Sequence, residues 1–226
     1  MRRPWGDLMY DPTSALPVEE LLRAGGSVAP QAFRLSPDEA ALLEGCLAGD
    51  DTAFDQLILR YQDMVFGLAF RLLGGYDEAV DLSQEVFLQV YRKLSCFRRD
   101  SSLRTWIYRI VINRAKNRQR WWKRRITEMT ALPIEVAETR ARSKELPPDE
   151  ALARKEQGQI LHDAIDRLPF DQRTILLLKE IEGLSYEEIS STLDLPLGTV
   201  KSRLARARAS LRNGLDPVLF GISEDV

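Results

Sequence analysis

Apolar side chains return at three- and four-residue intervals along most of this chain, and no alternation of the kind that marks a strand interrupts them. The clearest stripe is Leu103, Trp106, Ile107, Ile110 and Val111, which predicts an amphipathic helix from Ser102 onward. Earlier stripes predict more helices. Ser36-Pro37-Asp38-Glu39 is a start signal, with Ser at the cap, Pro in the first turn and Glu three residues on. That helix carries Leu42, Leu43, Cys46 and Leu47 to Gly49. Asp50 or Asp51 opens the next, striped by Phe54, Leu57, Ile58, Tyr61, Val65, Leu68, Ala69 and Leu72 and stopped by Gly74-Gly75. A third runs from about Asp77 to Leu94 on Ala79, Leu82, Val86, Phe87, Val90 and Leu94.

The second half repeats the logic. Leu152, Ile160, Leu161, Ile165 and Leu168 lead to Pro169, and Asp171–Glu182 is a short apolar helix closed by Gly183. Ser185 with Glu188 is a second capping box, Asp194-Leu195-Pro196 turns the chain, and a last helix packs through Val200, Leu204, Ala207 and Leu211. The fold class is therefore all-α, in two small helical domains. The expected boundaries are 36–122 for the first and 150–213 for the second, joined by a flexible linker at 123–149 with mixed charge and Pro133, Pro147 and Pro148. Residues 1–35, rich in Pro and Gly, read as a flexible extension or a partner-binding arm, and 214–226 as a tail.

Charge changes the picture. The protein sums to −2, yet the stretch from Phe97 to Arg125 holds eleven Lys/Arg against one acid, Asp100. On the predicted helix Thr105, Arg109, Lys116 and Arg120 share the face opposite the apolar stripe, with Asn113 beside them. Trp121 and Trp122 follow among arginines. Cations beside aromatics suit single-stranded or opened nucleic acid, although a solvated basic face over core tryptophans has the same composition. Asp77, Asp81 and Glu85 recur every four residues, which fits either helix stabilisation against the dipole or an acidic docking face.

The turn at Asp194–Pro196 makes the last two helices a helix-turn-helix, whose second helix enters a major groove. Its outward face carries Thr199, Ser202 and Arg206, flanked by Lys201, Arg203, Arg208 and Arg212, with small Ala205 and Ala209 between. Two cysteines, Cys46 and Cys96, sit in apolar helical patterns and read as reduced core thiols. No apolar run follows Arg2 and Arg3 that could serve as a signal peptide or membrane span, which predicts a cytoplasmic protein with no membrane insertion of its own. A nucleic-acid enzyme would need a nucleophile among arginines or clustered carboxylates. The one histidine, His162, reads as helix surface or interface, and the acids of Asp77–Glu85 have no second cluster to complete a metal site. A ligand-gated repressor would need a pocket or a domain with strands.

Three blocks carry a resemblance. DEAVDLSQEVFLQVY (Asp77–Tyr91), FRRDSSLRTWIYRIVINRAKNRQR (Phe97–Arg120) and LSYEEISSTLDLPLGTVKSRLARARASLR (Leu184–Arg212) resemble, in order and spacing, the signature blocks of extracytoplasmic-function (ECF) sigma factors, over roughly residues 37–213. The resemblance implies a non-enzymatic subunit without cofactor or metal that binds core RNA polymerase, directs it to promoters in response to stress or envelope signals, and helps melt the minus-ten region. It implies docking on the β′ clamp helices through Asp77, Asp81, Gln84, Glu85 and Phe87, with further contact to the β subunit. Minus-ten DNA would meet Phe97, Arg98, Arg99, Asp100, Ser101, Thr105, Trp106, Arg109, Asn113, Lys116 and Arg120. Duplex at the minus-thirty-five element would meet Thr199, Lys201, Ser202, Arg203 and Arg206. An anti-sigma factor is the implied regulator; the lack of a Cys/His zinc motif speaks against a fused zinc-type anti-sigma module.

Overall fold

A computed structural model of the chain describes residues 35–129 and 160–219. Both capping boxes form as their sequences require. Ser36 Oγ accepts from Glu39 N at 3.2 Å while Glu39 Oε2 accepts from Ser36 N at 3.0 Å, and this opens α1 (Pro37–Leu47). Asp50 caps α2 (Asp51–Leu73), which ends at Gly74 in the left-handed conformation, φ 79°. Helix α3 (Tyr76–Lys93) lies along α2 and passes into a 3-10 turn, Leu94–Cys96. Ser102 Oγ accepts from Thr105 N at 3.0 Å at the head of α4 (Leu103–Met129), which packs on both α2 and α3.

The apolar stripes meet where their spacing points them. Leu57, Val65, Leu68, Leu82, Val86, Val90, Leu103, Ile107 and Val111 are fully buried in one core. Each such side chain contributes roughly 1.5–3 kcal/mol by leaving water. Helix α4 continues past residue 122 to Met129, so the first part of the expected linker is helical; residues 130–159, which hold the rest of it, lie outside the described residues, as do 1–34.

The second unit opens with helical residues 160–166, here α5. It continues with α6 (Phe170–Leu176), whose next turn, Leu177–Ile181, is widened to π geometry. Helix α7 (Tyr186–Leu193) follows a second Ser/Glu box and ends at Asp194, φ 53°, a left-handed position that Asp tolerates better than most residues. Helix α8 (Leu197–Leu219) packs on α6 and α7 through Val200, Leu204, Ala207 and Leu211 and runs beyond residue 213.

The two units are not independent. Helix α7 rests on α4 and α6 on α2, so one hydrophobic cluster spans both. Cys46 is half-buried, but Cys96 corrects the reading of two core thiols: the 3-10 turn takes it off the buried face of α3 and leaves it exposed. Among the described residues no helix is long and apolar enough to cross a membrane.

Candidate nucleic-acid and polymerase interfaces

Helix α3 turns its acids outward. Asp77, Asp81 and Gln84 are exposed. Leu88 and Tyr91, which the sequence reading passed over, stand on the same helix 56% and 59% exposed, large apolar groups that a solvated face would not need. The four-residue recurrence from Gln84 to Leu88, and the step of three on to Tyr91, was the available signal. Phe87 is a correction, since it is 5% exposed and belongs to the core. Glu85 is half-buried and held from α4: Arg114 Nη1 lies 3.0 Å from its Oε2 and Arg118 Nη2 2.8 Å from its Oε1. Arg118 also donates to Glu78 O at 3.0 Å, and Arg114 Nε to Gln89 Oε1 at 2.6 Å. These arginines brace α4 against α3 and leave Asp77, Glu78 and Asp81 to supply the outward charge.

Trp121 and Trp122 stand half-exposed in T-shaped contact, ring centroids 5.1 Å apart. They line a groove of about 540 Å³ with Asp77, Glu78, Asp81, Glu85, Arg114, Asn117 and Arg118. The tryptophans therefore border the acidic face of α3, where a cationic partner would find both carboxylates and aromatic faces.

The loop before α4 is divided. Arg98, Arg99 and Asp100 are exposed, and Arg99 sits at φ 59°, which is unusual for a residue with a side chain. Phe97 and Ser101 are buried; Phe97 packs on the half-buried Trp106 at 5.3 Å. Phe97 is therefore a core residue that fixes the loop, not a contact to a base. Thr105 is likewise buried, bonded to Ser102 Oγ at 2.8 Å, contrary to the exposed position its helical phase predicts. Along the rest of the face, Asn113 and Arg120 are exposed. Arg109 and Lys116 instead reach the second unit. Arg109 Nη2 donates to Ser191 O at 2.5 Å, and Lys116 Nζ lies 2.9 Å from Asp171 Oδ1.

Beside them is a charged knot that sequence spacing could not disclose, because its members lie far apart in the chain. Glu182, at the end of the π-turn, takes Arg71 Nη1 at 3.2 Å and Arg104 Nη2 at 3.6 Å, and accepts from the Tyr108 hydroxyl. Arg104 Nη2 also donates to Glu182 O at 3.2 Å. Burial, followed by the Glu182 carboxylate, pushes the Tyr108 hydroxyl well above the ordinary phenol range. Burial works against the Arg104 charge, yet Tyr108 and Glu182 outweigh it and hold that guanidinium more firmly protonated. His162 stacks on Phe70 across the same seam at 5.9 Å, an interface position as expected.

In the second unit, α8 presents Lys201, Ser202 and Arg206 to solvent with Thr199 half-buried at its head. Arg203 is half-buried and lies 3.5 Å from Asp171 Oδ2. Arg208, expected to flank this face, is turned inward to Glu180, with Nη2 and Nε at 2.5 and 2.9 Å from Oε1.

Comparisons with known proteins identify the family. The profile of Sigma-70 region 2 matches residues 57–125 and that of Sigma-70, region 4 matches residues 158–211. The RNA polymerase sigma-H factor of Pseudomonas aeruginosa is 42% identical over 181 residues, covering 79% of this chain and 94% of the relative. The ECF RNA polymerase sigma-E factor of Escherichia coli K12 is 39% identical over 184 residues, 80% of this chain and 96% of the relative. Among solved structures, the sigma factor RpoE bound to the anti-sigma factor NepR from Bartonella quintana superposes with a TM-score of 0.56 at 26% identity, over 72% of this chain and 96% of RpoE. CnrH, solved with the cytosolic domain of CnrY, has the same fold at TM-score 0.56 and 21% identity, over 82% of this chain and 99% of its own. Two sigma-70 regions in order, the second on a helix-turn-helix, with relatives matched over nearly their whole length, place this chain among the ECF sigma factors, the initiation subunits that direct RNA polymerase to promoters.

Proposed function

We propose a division of labour for this sigma factor, which acts by binding in the cytoplasm rather than as an enzyme and needs no cofactor. The acidic face of α3, through Asp77, Asp81 and Gln84 with exposed Leu88 and Tyr91, docks on the β′ clamp helices of core polymerase, and the β subunit takes further contacts. The exposed loop residues Arg98, Arg99 and Asp100 and the α4 residues Arg109, Asn113, Lys116 and Arg120 engage the melted minus-ten strand, while Ser101, buried beside Phe97, is withdrawn from the expected contacts. Helix α8 reads minus-thirty-five duplex through Thr199, Lys201, Ser202, Arg203 and Arg206, with Arg best suited to bond two acceptors of a guanine at once. An anti-sigma factor regulates the chain, a reading supported by its likeness to RpoE, which was solved with one.

The observation that carries this reading is the separation of surfaces. Exposed Asn113 and Arg120 suit an opened strand, while a helix set behind the Asp194–Pro196 turn suits duplex, so the promoter is gripped at one end and melted at the other. Run-off transcription with core polymerase, with and without the chain, is the test. Promoter-specific transcripts that require the chain are expected. Transcription that is indifferent to it, together with metal-dependent DNA cleavage by the protein alone, would replace this function with that of a nucleic-acid enzyme.

A further inference from the structure

We infer that Trp121 and Trp122 extend the polymerase-docking surface from α3 onto α4, as an aromatic seat for an arginine or lysine side chain presented by core polymerase. The inference rests on the proposed use of Asp77 and Asp81 in docking, and it names the contact that the tryptophans add to them.

Helical phase puts the pair at the outer end of the α4 clamp. Arg114, Arg118 and then Trp121 with Trp122 follow one another at steps of three and four, so they share one side of the helix. Arg114 and Arg118 are spent within the chain, both on Glu85. The tryptophans have no core to enter. Their side chains stay 50% and 46% exposed, although few residues gain more from burial than Trp. They meet each other edge to face instead, with ring centroids 5.1 Å apart. Two adjacent exposed indoles beside a groove of about 540 Å³ have the make-up of an interface anchor and not of a solvated face.

The chemistry of the groove selects the sign of its occupant. Trp121 already holds a cation, since the guanidinium carbon of Arg125 lies 5.0 Å from its ring centroid. Across the groove, Asp77, Glu78 and Asp81 have no cationic partner among the described residues, because Glu85 takes both arginines. Asp77 and Glu78 stand in the first turn of α3, where opposing the helix dipole accounts for them. Asp81 lies beyond that turn. Carboxylates on one wall and indole rings on the other attract a guanidinium or an ammonium, and the same carboxylates repel a DNA phosphate. Asp77 and Asp81 belong at once to this groove and to the outward face of α3. The occupant therefore arrives with the polymerase and not with the promoter.

The experiment titrates the fluorescein-labelled full chain with core polymerase. The parent is compared with a Trp121→Ala, Trp122→Ala pair and a Trp121→Phe, Trp122→Phe pair. Core affinity should fall roughly three- to tenfold in the alanine pair, and by less in the phenylalanine pair, whose rings attract a cation more weakly than indole. Asp81→Asn should cost less in the alanine pair than in the parent, because the shared cation has already lost its aromatic seat. An equal cost in both backgrounds would overturn the shared cation. Binding of the free chain to a labelled single strand should stay at the parent's level. If the alanine pair loses helix content by circular dichroism, the phenylalanine pair decides, and parental core affinity there overturns the seat. Parental core affinity in a folded alanine pair overturns it too, and a loss of single-strand binding in its place would assign the tryptophans to bases. Converting Asp77 and Asp81 to Lys judges docking separately. Weakened core binding there, beside parental affinity in both tryptophan pairs, removes the seat alone. Parental binding in the aspartate variant removes the docking face on which the seat depends.

Discussion

Arg208 leaves the DNA-facing side of α8 and grips Glu180, whose carboxylate is 1% exposed, through two nitrogens on one oxygen. The pair fixes the rotation of the recognition helix on the π-turn beneath it. Arg208→Ala strands a buried carboxylate, and losing one partner of such a pair costs about 3–5 kcal/mol. Urea unfolding should show that loss, and Glu180→Gln combined with Arg208→Ala should recover part of it. If Arg208→Ala alone matches the parent, the pair is ornamental to the fold.

Polymerase docking should depend on Asp77 and Asp81 more cleanly than on Glu85. Converting both aspartates to Lys is expected to weaken core binding at least tenfold, about 1.4 kcal/mol, with helix content unchanged. Glu85→Lys should lower thermal stability as well, because it faces Arg114 and Arg118. Fluorescence titration of labelled chain against core, with circular dichroism beside it, separates the two. Equal core affinity in the aspartate variant would make that face merely solvated.

Strand opening should respond to Asn113, the exposed member of the α4 face able both to donate to and accept from a base edge. Asn113→Ala is expected to slow open-complex formation, read by permanganate reactivity, without loss of core binding. A pre-melted template should rescue it at least in part. No rescue would mean that Asn113 acts somewhere other than on the opened strand.

Acid should loosen α1 from α2 through Glu39. Burial disfavours its charge, but bonds from the Tyr61 hydroxyl at 2.6 Å and from Ser36, together with nearby Arg60, prevail and hold its carboxyl below the usual 4.5. A lowered folded-state value means that the contribution is fully present above the unfolded value and fades as pH falls through the folded one. Glu39→Gln should therefore flatten the acid limb of Tm against pH below about 4.5 and leave its shape at neutral pH alone. An unchanged acid limb would show that Glu39 carries no such linkage.

The sequence disclosed the helices more fully than the surfaces. Ser36/Glu39 and Ser185/Glu188 announce their caps within four residues, so local chemistry suffices. Phe87 and Phe97 were assigned to partners by the family pattern, although an aromatic in a docking block is equally able to be the block's core anchor, and burial decided for the core. Cys96 defied its periodicity because the helix tightens to 3-10 geometry at Leu94. The seam was invisible for another reason. Arg71 and Glu182, or Arg109 and Ser191, are joined by tertiary packing alone, and no periodicity relates residues so distant in the chain.

Arg114 and Arg118 clamp Glu85 from α4, while Asn113, adjacent to Arg114, looks away from that clamp at about 100° around the same helix. On the proposed assignment, docking side and template side share a single rod of backbone, with no joint between them. A tilt of the chain on polymerase would then become the same tilt at the template, with the landing point and the first melted base held apart by the girth of one helix.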